Sequence, residues 1–180
     1  MLIARQKRKE NIAEYILYMW QIEDIIRAND FSLAKIEETV IQEFKQPDKV
    51  KEQIKEWYAD LIIMMKEEGI TKTGHLKIIT DVVNTVEEFH KKLVRKKGED
   101  KYIGVYSWAK SNIDALKAKI NDDSLGDVHT CLTALYGLLL MRLKKRDVTE
   151  ETNEAMTTFS NFMALLSGKF RQYEEGTLNV

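Results

Sequence analysis

Three histidines, one cysteine and a set of carboxylates at helical spacing are the residues of this 180-residue chain that could do chemistry. Glu87 and His90 form a Glu-x-x-His pair, the spacing with which ferritin-like bundles hold a di-metal centre. Such a centre needs a second copy, yet the residues three before His75 and His129 are Lys72 and Gly126. Glu87 also stands beside Glu88 and ahead of a basic run, which reads as a solvated face. Cys131 follows His129 by two positions, so the two fall on nearly opposite sides of a helix. As a lone thiol in an apolar run it reads as inert core. There is no Gly-rich phosphate loop, no Gly-x-Ser-x-Gly elbow and no His-Glu-x-x-His. No catalytic residue, metal ligand or cofactor is assigned, and the balance falls against an enzyme.

The remaining candidates lie where a helix is too apolar to carry charge without a reason. The stretch Asn11 to Asn29 repeats Ile12, Tyr15, Ile16, Met19, Ile22 and Ile26 on one face, and Leu17, Trp20 and Ile25 fill much of the rest. Glu23 falls on that stripe, with Arg27 one turn on as its expected partner. Arg142 falls on the stripe of Val128, Leu132, Leu135 and Leu139 and must pair or reach water. If the helices alternate strictly, Glu23, Asp24, His75 and His129 reach one polar layer at the same end of the bundle. A carboxylate beside an imidazole there could bind a small ligand or a metal, or move a proton. A structural hydrogen bond is the commoner use of such residues.

Those residues depend on a series of helices. One helix is expected from near Ala4 to Asn29. A short second follows, capped by Asp30 or Ser32, with Leu33, Ile36, Val40, Ile41 and Phe44 inward. Pro47 suits the first turn of a third, which Gly69 ends. Thr71 or Thr73 is the expected cap of a fourth, which closes on the basic run Lys91 to Lys97. A fifth starts at Asp100, a sixth spans roughly Asp127 to Arg146, and a seventh is capped by Thr149. The tail from Glu174 carries no pattern and is expected to fray. The aromatic residues, Trp108 among them, read as core, and Gly104, Gly137 and Gly168 as points of close packing. The expectation is an all-α fold: a six- or seven-helix up-and-down bundle around a buried N-terminal helix, one domain over 1–180.

A formal charge of −1 gives no general reason to expect nucleic acid or an anionic membrane. Alternation would gather Arg5, Lys7, Arg8 and Lys9 with the basic ends of the fourth and sixth helices, but acidic residues dilute that end. No run reaches the roughly 18 apolar residues of a membrane span. One cysteine excludes an intrachain disulfide, so a cytoplasmic, reducing compartment is expected.

The blocks RKENIAEYILYMWQIEDIIRA, GHL at Gly74 to Leu76 and CLTALYGLLLMRLKK together resemble an uncharacterised family of small cytoplasmic Bacteroidetes proteins, known as a domain of unknown function. The resemblance spans essentially the whole chain. It implies a helical protein of this length and carries over no catalytic residue. The function expected is protein association, with itself or another chain. The alternative is a ligand- or metal-binding bundle using the polar layer of the first helix.

Overall fold

The computed structural model describes residues 2–180, and among them there is helix and no strand. Eight α-helices follow in order: α1 Leu2–Glu10, α2 Ile12–Ala28, α3 Leu33–Ile36, α4 Asp48–Glu67, α5 Lys77–Arg95, α6 Asp100–Ile120, α7 Asp127–Leu143 and α8 Glu150–Glu174. One π turn, Glu37–Ile41, continues α3. The count exceeds the expected six or seven because the first helix is two. Asn11 leaves helical geometry at φ −153°, and its side chain accepts from Glu14 N at 3.2 Å. Asn11-x-x-Glu14 is a capping-box spacing, a break signal hidden inside an otherwise periodic stretch. The break gives Lys7, Arg8 and Lys9 a local reason to exist, since they become the last turn of α1, where the dipole favours cations.

α2 contacts α1, α4, α5, α7 and α8. Ile16, Met19, Trp20, Ile22 and Ile26 are buried there beside Tyr58, Leu61, Ile79, Val86, Leu132 and Phe162 from the surrounding helices. Leu135, Leu139 and Trp57, expected inside, are only partly buried. Arg142 is exposed, so its charge needs no buried partner.

Strict alternation fails over the last two helices, α7 and α8. The C-terminal part of α8 lies at the N-terminus of α2, where Ala13 N donates to Ser167 Oγ at 3.4 Å and Arg8 grips Glu174 at 2.6 and 2.7 Å. A seventh alternating helix would begin there. Lys144, Lys145 and Arg146 precede the start of α8, a helix of 25 residues and so about 37 Å long, which keeps them from the basic residues of α1. The tail is tied down, with Leu178 against the core and Lys96 Nζ donating to Asn179 O at 2.7 Å. No helix of the described residues is long and apolar enough to cross a membrane.

Candidate functional site

The indole of Trp20 is the centre of the polar layer on α2. His75 stacks on it at 4.2 Å and 16°, His129 lies at 6.2 Å, and Tyr136 meets it edge-on at 5.6 Å. Glu23, one turn further along α2, is 0% exposed. Its two oxygens are both taken. His75 Nδ1 donates to Oε2 at 2.6 Å, and Leu76 N donates to Oε1 at 3.0 Å. A carboxylate so buried is tolerable because each oxygen finds a donor.

This arrangement replaces the cap expected of Thr71 or Thr73. Leu76 stands at the start of α5 with no side-chain cap of its own, and Glu23 supplies one from another helix. The expected Glu23–Arg27 pair is also replaced. Arg27 pairs with Asp24 at 2.9 Å and donates to the carbonyls of Ile70, at 3.3 and 3.4 Å, and Gly74. Tyr136 OH donates to the other Asp24 oxygen at 2.5 Å. Burial, joined by that bond, raises the phenol above its ordinary range. Burial likewise lowers the His129 imidazole, and charge on His75 lowers it further. The structure thus brings Glu23 and His75 into contact, sets His129 6.2 Å from the Trp20 ring, and turns Asp24 to Arg27 and Tyr136.

The chemistry open to this layer is limited. Each Glu23 oxygen already accepts a hydrogen bond, and no three His, Cys, Asp or Glu side chains among the described residues are placed to hold a cation. His75 keeps 30% of its side chain exposed, with one nitrogen fixed by a buried carboxylate. That is the way an imidazole is oriented for proton transfer. The indole Nε1 of Trp20 is buried and has no acceptor among the described residues.

Glu87 overturns its expectation as a solvated residue. It is buried against the start of α7 and accepts from the amides of Asp127, Val128 and His129 at 3.2, 2.9 and 3.4 Å. Burial raises its carboxyl against the pull of those bonds. Gly126 is required beside it, because a Cβ there would collide with the carboxylate. His90 turns away to Tyr102 OH at 2.7 Å, and burial lowers it to about 4. The Glu-x-x-His pair is therefore divided between a helix cap and a core hydrogen bond. Sequence reasoning missed Trp20 and Tyr136 as parts of the polar layer, since nothing in helical spacing separates them from core aromatics.

The chain belongs to the family described as a domain of unknown function (DUF4924), which matches residues 1–177. Comparison with curated proteins and with solved structures yields no match.

Proposed function

We propose that this protein is a non-enzymatic helical bundle that acts by pairing with a second copy of itself through α6. The observation that carries this reading is Trp108, 76% exposed in the middle of a helix. It stood among the expected core aromatics and is the exception to them. Gly104, one turn earlier on the same face, is exposed too, and a Cβ added there would meet nothing within 4 Å. Close packing inside the chain therefore does not explain it, although a mid-helix glycine costs about 0.5–1 kcal/mol against alanine. A Cβ added at Gly137 or Gly168 would also meet nothing within 4 Å, but neither has such a neighbour.

Gly104, Trp108, Ser111, Ala115 and Ala118 make an exposed stripe free of charge, in a chain 32% charged. A knob and a hole one turn apart form a self-complementary surface. When two α6 helices cross antiparallel about a two-fold axis between them, each Trp108 covers the other copy's Gly104. A buried tryptophan removes about 150–250 Å² from water, and the length of the helix supplies the remainder of the contact. The buried free thiol of Cys131 suits a reducing, cytoplasmic setting for such an assembly.

Sedimentation velocity is expected to give a dimer for the wild type and a monomer for Trp108→Ala. A monomeric wild type at high protein concentration, or a Trp108→Ala dimer, would overturn the reading.

A second reading rests on the oriented His75. Glu23, Asp24, His75 and His129 would serve a small ligand that exchanges a proton with the imidazole. A ligand-induced shift of the His75 ring resonances, lost in Glu23→Gln, is its test.

A further inference from the structure

We propose that the cleft between α1, α4 and α8 binds a small amphiphilic anion, a single apolar tail carrying one carboxylate. The cleft has a volume of about 580 Å³, inside the range of small-ligand sites, roughly 300–1,000 Å³. Its floor is apolar and aromatic. Tyr15 and Met19 come from one stripe of α2, and Trp57 and Leu61 from one stripe of α4. Met19 and Leu61 are buried, while Ile78 continues the apolar wall and is itself exposed.

The charge is concentrated on α1. Arg5, Arg8 and Lys9 line the cleft with Arg171 from α8, against two carboxylates, Glu174 and Glu175. Those carboxylates are already engaged. Glu174 is held by both terminal nitrogens of Arg8, and Glu175 lies 3.9 Å from Arg171. Arg5 and Lys9 have no ion-pair partner among the described residues. Two unneutralised cations therefore stand over an apolar trough, and the break at Asn11 is what frees α1 to lie there.

The direction of the trough fits one tail. Ile78 lies two residues beyond Leu76, which Glu23 fixes to the far half of α2. The anionic group meets Arg5 and Lys9 at the α1 end, and the tail runs over Tyr15, Met19 and Leu61 toward Ile78. A second cavity of about 350 Å³ shares Arg5 and Trp57 and opens from the same wall, with Phe44, Val50 and Ile54 as its apolar side. Charge complementarity selects an anion, and the apolar floor rejects a fully hydrated one such as inorganic phosphate.

The test is calorimetric titration of the full chain with dodecanoate below its micellar concentration. One saturable site is expected. Dodecyltrimethylammonium, with the same tail and the opposite charge, is expected not to occupy it. The double variant Arg5→Gln/Lys9→Gln changes two exposed side chains. It should fold as the wild type does and weaken dodecanoate at least about tenfold, as two lost charge-assisted contacts require. Dodecanoate should also shift the tryptophan emission of the wild type, and Trp57→Phe should remove that shift. Absence of saturable binding, equal binding of the cationic detergent, or full affinity in the double variant would overturn the proposal. So would binding to phosphatidylglycerol vesicles without binding to monomeric dodecanoate, which would mark α1 as a membrane-surface element.

Discussion

Glu23 and Glu87 are buried carboxylates that cap the start of a helix other than their own, α5 in one region and α7 in the other. Each has a histidine close by, and there the two regions diverge. Glu23 shares its charge with His75, whose side chain still reaches solvent at 30% exposure. Glu87 receives only backbone donors, while His90 is sealed among Tyr102, Tyr106 and Phe162. The Glu87 region is built to be closed: a glycine admits the carboxylate, and the imidazole stays neutral. In the Glu23 region a buried carboxylate is hydrogen-bonded to a ring that reaches solvent. Of the two sites, only this one is open to the surroundings of the protein.

The largest effect is expected at the first site. Glu23→Leu leaves the His75 nitrogen and the Leu76 amide without their acceptor, and the loss of stability in urea should be about 3–5 kcal/mol. A loss under about half a kcal/mol would show that α5 starts equally well without its borrowed cap.

The second effect belongs to His90 and depends on pH. Its folded value, about 4, lies below the ordinary 6.5, so the unfolded chain binds the extra proton between those limits. Stability tied to this group is complete above about pH 6.5 and falls as pH drops toward 4, by about 3 kcal/mol in all. Glu87, with its carboxyl raised, contributes with the opposite sign. The difference between wild type and His90→Gln across that range isolates the histidine. Parallel pH profiles for the two would mean that the imidazole is protonated inside the fold.

The smallest effect sharpens the fit at the second cap. Gly126→Ala drives a methyl into the Glu87 carboxylate and should cost about 1–3 kcal/mol. In a Glu87→Ala background the obstacle is gone, so the same change should cost much less. Additive losses would place the strain in the α6–α7 turn instead.

Local chemistry was legible where it acts along the chain. The 3.6-residue periodicity, the cap Thr149, the stop at Gly69 and the absence of strands follow from side chains within a turn or two of one another. Asn11-x-x-Glu14 was equally local and was obscured by the apolar pattern running through it. The approach of Glu23 and His75 could be guessed at only as a shared layer. Their contact spans 52 positions, and a period fixes which face a residue occupies, not which helix it meets.

Tertiary structure decided the rest. Arg27 could reach Glu23 or Asp24 from sequence spacing, and the carbonyls of Ile70 and Gly74 brought by the α4–α5 loop accompany the choice of Asp24. Glu87 looked solvated beside Glu88 because sequence cannot show that the amides of α7 lie 40 to 42 positions away and need an acceptor. Trp108 looked like core because an aromatic on a helix is usually covered, and only the packing of α6 shows that the described residues leave it exposed. Sequence alone determined the helices and their apolar stripes, since those depend on neighbours a few residues away. Tertiary packing decided which charges are buried and which surfaces stay open, because both depend on segments far apart in the chain.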